Sequence, residues 1–165
     1  MLKVFRIPEF EEVTKLVQEF ANDFGACEVI FGTRNMCHMM PNKTVIMYTF
    51  PRMFRNGDDE FYENFISRYP RCSVISQITL SLLHEIGHMM TLASVERYDT
   101  NVASNKEYFE LPQEKAATDW AGNFASKNLQ FCLDFDTKFN SAFLKANMIF
   151  KDRERMRIAL DFASK

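Results

Sequence analysis

The sequence predicts an α+β fold that starts with a helix, continues through a three-stranded antiparallel meander, and ends in a long apolar helix and further helices. Apolar residues recur at helical spacing near both ends of the chain, and three short β-prone runs separated by turn-like residues lie between residues 27 and 49. With 165 residues, 47% hydrophobic and 25% charged, the composition is typical of a globular chain. We therefore expect one domain over residues 1–165, in which residues 128–165 could form a helical appendage.

The first predicted element is an amphipathic helix. Pro8 suits the first turn of a helix, because the amide hydrogen that proline lacks has no partner there, and Gly25 provides a stop. Between these positions the apolar residues recur at spacings typical of one helix face: Phe10, Val13, Leu16, Val17, Phe20, Ala21 and Phe24.

Three short strands are predicted next, at Cys27–Phe31, Met36–Met40 and Thr44–Thr49. Residues 32–35 and 41–43 are turn-like, so the strands are expected to follow one another as an antiparallel meander. The last run, at the edge of such a sheet, could align an extended substrate by strand addition.

Two helices are predicted after the strands. Asp58 or Asp59 could cap a short helix that ends before Pro70, and Ser73 could cap a longer one that runs to about Thr91. After a polar stretch over residues 94–110, a further helix is predicted from residue 112, and the rest of the chain also has helical periodicity.

The charge balance and the cysteines exclude several classes of protein. Lys and Arg number 20 and Asp and Glu 22, so the net charge of −2 gives no general reason to expect nucleic-acid binding. No run of 18 apolar residues is present, and the N-terminus lacks the pattern of a signal peptide. The four cysteines form no CxxC pair. We expect a cytoplasmic protein with no membrane partner.

The pentapeptide HEIGH at residues 84–88 matches the pattern H-E-x-x-H. On a helix, His84 and His88 lie one turn apart on the same face, so two neutral ring nitrogens can bind one zinc ion. Glu85 lies about 100° around the helix from His84, where its carboxylate can take a proton from a water molecule activated by the metal. The motif therefore predicts a catalytic zinc site.

The surroundings of the motif support this interpretation. His84, Glu85 and His88 are the only ionisable side chains among the 20 residues from 73 to 92. Such an apolar helix is expected to be buried, and buried ionisable groups need partners or a metal to offset the loss of hydration. Gly87 is unfavourable within a helix and predicts close packing of another chain segment or a bound peptide.

The third zinc ligand is expected to be a carboxylate. The positions that hold a glycine and a third histidine in metzincins are Thr91 and Ser94 here, so that pattern is absent. His38 lies in a predicted strand and is more typical of a structural histidine. Several acidic residues of the polar stretch are more typical of a solvated surface: Glu96, Asp99, Glu107 and Glu110.

Glu114 is the favoured third ligand, and Asp119 is its rival. Glu114 lies in the first turn after Pro112, and Ala117 and Ala121 on the same helix face are small enough to allow close packing against the HEIGH helix. Close packing of the two helices would bring the carboxylate of Glu114 to the metal.

HEIGH, followed 26 residues after His88 by EKAATDWA at residues 114–121, resembles the ImmA/IrrE family of gluzincin-like metallopeptidases, whose usual pattern is HExGH followed by ExxAnxFA. The match covers about residues 73–126. The resemblance implies a small zincin-like domain in which His84, His88 and Glu114 bind zinc and Glu85 is the general base. Thr118 stands where the family often has Asn, so either Thr118 or Asp119 could hold a ligand histidine in place.

The resemblance also implies an intracellular zinc peptidase of a phage or mobile element, whose protein substrate is a helix-turn-helix repressor. Two alternatives remain open. The chain could be a zinc-containing binding module that sequesters a regulator or a host protein without cutting it, although a purely structural zinc site does not need Glu85 between its histidines. It could also be a helical interaction protein without metal, which the metal content would distinguish.

Overall fold

The computed structural model describes residues 7–25, 27–32, 36–40, 43–48, 56–92 and 105–163. Most of these residues are helical. The helices are α1 (Glu11–Asn22), α2 (Asn56–Arg68), α3 (Gln77–Thr91), α4 (Asn105–Glu110), α5 (Pro112–Lys127) and α6 (Leu129–Ala163), and the strands are β1 (Glu28–Phe31), β2 (Met36–Met40) and β3 (Lys43–Tyr48). Short 3₁₀ helices cover Pro8–Phe10 and Pro70–Val74.

The predicted N-terminal helix is confirmed. Pro8 begins the short 3₁₀ helix, and α1 follows it directly. One face of α1 is buried, because its apolar residues recur at helical spacing: Val13, Val17, Phe20 and Ala21. Gly25 has a φ of 147°, which an L-residue with a side chain rarely adopts, so it ends this segment as predicted.

The predicted α+β fold with a three-stranded antiparallel meander is wrong. The chain is mostly helical, and the strands lie in the order β1-β3-β2, with β1 parallel to β3 and β2 antiparallel to it. Ile46 of β3 lies between Val29 of β1 and Cys37 of β2. Consecutive strands β1 and β2 are therefore not neighbours, as they would be in a meander.

The burial of β3 explains this order. Residues 45–48 are all nearly inaccessible to solvent, with Ile46 and Tyr48 at 0% exposure. A strand that is apolar on successive residues, and not on alternate ones, suits the centre of a sheet covered on both faces. The run Thr44–Thr49 was expected at an edge, where it could align a substrate; within its described residues it is central, so this expectation is also wrong.

Helix α3 begins later than predicted. Ser73 lies in the 3₁₀ helix, and the N-cap is Ser76, whose hydroxyl accepts a hydrogen bond from the amide of Thr79. Asp136 of α6, 60 residues later in the chain, also binds this cap. Its buried carboxylate accepts hydrogen bonds from the Ser76 amide at 2.7 Å and from the hydroxyl groups of Ser76 and Thr79. A carboxylate at this end also interacts favourably with the helix dipole.

Helices α3 and α5 pack closely along small residues. Ala117 and Ala121 of α5 are fully buried. A Cβ atom placed on Gly87 would lie 2.5 Å from the carbonyl oxygen of Ala117, so the two backbones meet at this glycine. This contact confirms the close packing that Gly87 predicted and holds the start of α5 against the HEIGH segment.

Gly87→Ala should destabilise the protein by about 1–3 kcal/mol, although alanine is the better helix former, because the added methyl group would overlap the main chain of α5. Urea unfolding of the metal-free protein measures this change. Ala117→Gly should not restore stability in the double variant, because Gly87 meets backbone atoms of Ala117. An unchanged or raised unfolding free energy for Gly87→Ala would contradict this packing.

The core continues into the first half of α6. Its buried apolar residues recur every three or four positions: Cys132, Phe135, Phe139, Phe143 and Ala146. The rings of Phe20 and Phe135 lie 4.0 Å apart, and those of Phe10 and Phe143 lie 5.4 Å apart, so α6 packs against the N-terminal segment.

Within the described residues, every helix is too short or too polar to cross a lipid bilayer.

Candidate metal centre

His84 and His88 project from the same face of α3, as their spacing predicts. Their ring centroids are 4.7 Å apart. Each points its Nε2 atom at one oxygen of Glu114, at 3.0 Å from His84 and 3.4 Å from His88. The side chains of His84 and Glu114 are each 8% exposed and that of His88 is 12% exposed. The three residues thus form a compact cluster that solvent barely reaches.

This cluster has the size and chemistry of a zinc site. One potential ligand atom from each of His84, His88 and Glu114 lies within 4.8 Å of the others. Two donors bound to a tetrahedral zinc ion at about 2.0–2.1 Å are about 3.3 Å apart, close to the two distances from Glu114. Two imidazole nitrogens and one carboxylate are also a ligand set of catalytic zinc, which leaves the fourth position open.

Glu114 and the two histidines stabilise the charged forms of one another. Burial alone would raise the pKa of Glu114, but hydrogen bonds and the positive charge of His84 and His88 hold it well below the usual range. Burial alone would lower the pKa of His88, but the hydrogen bond and charge of Glu114 outweigh it and raise this pKa. Glu114 is therefore a carboxylate at neutral pH, available as an anionic ligand.

Glu85 lies beside this cluster and faces strand β2. Burial raises its pKa above the ordinary glutamate value, while His84 and His88 and a hydrogen bond from the Cys37 amide act in the opposite direction. A carboxyl group with a raised pKa suits transfer of a proton in both directions near neutral pH. The amide of Cys37 is a partner that the sequence does not indicate, since its position depends on the sheet order.

Thr118 holds the ring of His84 from the other side. Its hydroxyl oxygen lies 3.1 Å from Nδ1 of His84, while Nε2 faces Glu114. A partner on one ring nitrogen fixes the orientation of the imidazole and leaves the other nitrogen for a metal. Of the two candidates for this role, the structure brings Thr118 to the histidine.

Asp119 lies away from the histidines. Its carboxylate pairs with Arg68 at the end of α2 and accepts a hydrogen bond from the Tyr69 hydroxyl at 2.7 Å. Of the other acidic candidates, Glu107 and Glu110 are exposed on α4 and are not part of the cluster, and Glu96 and Asp99 lie outside the described residues. His38 lies on β2, with its backbone opposite Val45.

Phe61 of α2 also contacts the candidate site. Its ring centroid is 5.1 Å from that of His84, and the two rings meet edge to face. The sequence pattern does not single out Phe61, because a phenylalanine at helical spacing from Phe65 is typical of an ordinary core residue. Only the ring contact in the folded structure shows that it adjoins the histidine.

Zinc affinity should fall as the pH is lowered, by about tenfold per unit below the pKa of His88, because zinc needs the neutral ring and must displace its proton. The raised pKa of His88 places this fall at a higher pH than for a free histidine, and Glu114 remains ionised throughout. Calorimetric zinc titrations at pH 8, 7 and 6, in two buffers with different ionisation enthalpies, measure affinity and proton release. Equal affinities from pH 8 to pH 6 would contradict this expectation.

Comparison of the chain with family models, curated proteins and solved structures finds no significant match.

Proposed function

We propose that this protein is a zinc-dependent metallopeptidase that acts in the cytoplasm on a protein substrate, the helix-turn-helix repressor of a phage or mobile element. The observation that carries the proposal is the cluster of His84, His88 and Glu114, with ligand atoms within 4.8 Å of one another. The resemblance of HEIGH and EKAATDWA to ImmA/IrrE metallopeptidases supports the same chemistry. The proposal that the substrate is a repressor rests on this resemblance alone. Neither nucleic acid nor membrane is proposed as a partner.

In this proposal His84, His88 and Glu114 hold zinc, and Thr118 fixes the orientation of the His84 ring so that Nε2 is left for the metal. When bound, zinc supplies a Lewis acid that polarises the scissile carbonyl group and makes a water molecule more acidic. Buried surroundings strengthen these electrostatic effects, because little solvent is present to screen them.

Glu85 supplies the proton transfers. Its carboxylate accepts a proton from the attacking water and then gives it to the nitrogen of the departing amine. Burial, which raises the pKa of Glu85, makes its carboxylate a better proton acceptor than an ordinary surface glutamate. The Cys37 amide limits the movement of the carboxylate by holding it from strand β2.

The proposal is tested by metal analysis and by cleavage. Protein purified without added zinc should contain about one zinc per chain. Co-expression with a small helix-turn-helix repressor encoded beside its gene should yield defined repressor fragments, visible by gel and mass spectrometry. A chelator should abolish cleavage in the purified mixture, and added zinc should restore it.

The possible outcomes separate the proposed function from its alternatives. Protein that neither contains nor takes up zinc would overturn the metal site and leave a helical interaction protein. Zinc-loaded protein that binds the repressor and relieves repression without cutting it would establish the binding module and refute the peptidase.

A further inference from the structure

Three aromatic rings extend from the candidate metal centre toward the protein surface. Phe61 of α2 contacts His84, Phe109 of α4 lies 6.4 Å from Phe61, and Tyr108 lies 5.8 Å from Phe109, all measured between ring centroids. We call Phe61, Phe109 and Tyr108 the aromatic row. The row begins at Phe61, beside His84, which would bind the metal, so the row starts next to the proposed catalytic centre.

The rings of this row are more exposed than the core residue next to them. Phe65, one turn from Phe61 on α2, has no exposed surface and belongs to the core. Phe61 and Phe109 are half-buried, and Tyr108 is 42% exposed. Aromatic rings that are partly accessible beside a polar site offer apolar surface that a ligand can cover, and covering it is favourable.

The contact between Phe61 and His84 leaves the ring nitrogens to other partners. Nδ1 of His84 faces Thr118 and Nε2 faces Glu114, so Phe61 meets the imidazole through its ring and not through a hydrogen bond. Phe61 is therefore an apolar neighbour of a residue that would hold the metal.

We propose that the aromatic row forms a subsite that accepts a large apolar side chain, aromatic or long aliphatic, next to the scissile peptide bond. This inference rests on the proposed peptidase function and adds the class of residue at which the substrate is cut. Phe61 and Phe109 provide the contact surface of the subsite, and Tyr108 forms its outer end.

The subsite is tested by the binding of two small zinc-chelating probes to zinc-loaded protein. Acetohydroxamate carries only a methyl group, whereas 3-phenylpropanohydroxamate carries a phenyl ring on the same chelating group. We expect the phenyl probe to bind wild-type protein at least about tenfold more tightly, because its ring can pack against Phe61 and Phe109. Isothermal titration calorimetry gives both affinities without requiring the natural substrate.

Substitutions locate the preference. Phe61→Ala should reduce the ratio of the two affinities to within about threefold. Phe109→Ala should reduce it as well, and this variant leaves His84 untouched, since Phe109 contacts Phe61. Phe131→Ala is the matched control, because Phe131 is an exposed phenylalanine that packs against Phe20 and Phe124. It should preserve the wild-type ratio.

Zinc content measured on every variant makes the result decisive. Zinc-loaded wild-type protein that binds both probes equally would overturn the subsite and leave the metal site intact, as would an unchanged ratio in both Phe61→Ala and Phe109→Ala. Wild-type protein that takes up no zinc would overturn the proposed function, and the subsite with it.

Discussion

Glu85→Gln should lower the rate of substrate cleavage by about 10³-fold while the protein keeps its zinc. Glutamine has the shape of glutamate, and its amide oxygen can still accept the hydrogen bond from the Cys37 amide. It cannot accept a proton from water at neutral pH. Since Glu85 is not one of the three proposed ligands, its replacement should leave the metal bound.

Cleavage of the co-expressed repressor, zinc content and circular dichroism together measure this effect. Glu110→Gln provides a matched control, because it makes the same change in charge on an exposed side chain. The control should cleave at the wild-type rate. Equal cleavage by Glu85→Gln and wild-type protein would exclude Glu85 as the general base, even if the protein contains zinc.

Glu114→Ala should weaken zinc binding by about a hundredfold or more. Structural zinc sites bind with about 10–16 kcal/mol of free energy, which corresponds to roughly 3 kcal/mol for each of four ligands. The substitution also removes the carboxylate that accepts from both histidines, at 3.0 Å and 3.4 Å. Competition with a chromophoric chelator measures the affinity.

Asp119→Ala is the control for this experiment, because it removes a carboxylate from the same helix five residues later. Asp119 pairs with Arg68 and Tyr69, and its side chain is 38% exposed, so the loss of stability should be below about 1 kcal/mol and zinc affinity should not change. The opposite pattern, in which Asp119→Ala loses zinc and Glu114→Ala keeps it, would overturn the choice of ligand.

Much of the candidate site could be predicted because short-range helix geometry places its parts. His84 and His88 need only the spacing of one turn, and Glu114 needs only Pro112 to begin its helix and small residues to let α5 approach. The site residues that the sequence does not indicate, Phe61 and the Cys37 amide, belong to segments brought in by tertiary packing.

The sheet was harder to predict for the same reason. Local patterns identify each of the three strands to within a residue or two, but the choice of neighbour depends on which strand the helices bury. The run of consecutive apolar residues from Val45 to Tyr48 was the available signal for a central strand. The predicted N-cap of α3, Ser73, is wrong for the same reason. The observed N-cap, Ser76, donates a hydrogen bond to Asp136, which lies 60 residues later in the chain.

The reach of Asp136 to the start of α3 has a consequence for how the protein matures during translation. His84, His88 and Glu114 are all synthesised before Asp136, which follows Glu114 by 22 residues. A nascent chain that stops short of α6 carries every side chain of the proposed metal site, but the first turn of α3 lacks the carboxylate that accepts hydrogen bonds from Ser76 and Thr79. Helix ends without such partners fray. We therefore expect the proposed metal site to reach its full stability only after α6 has emerged and docked.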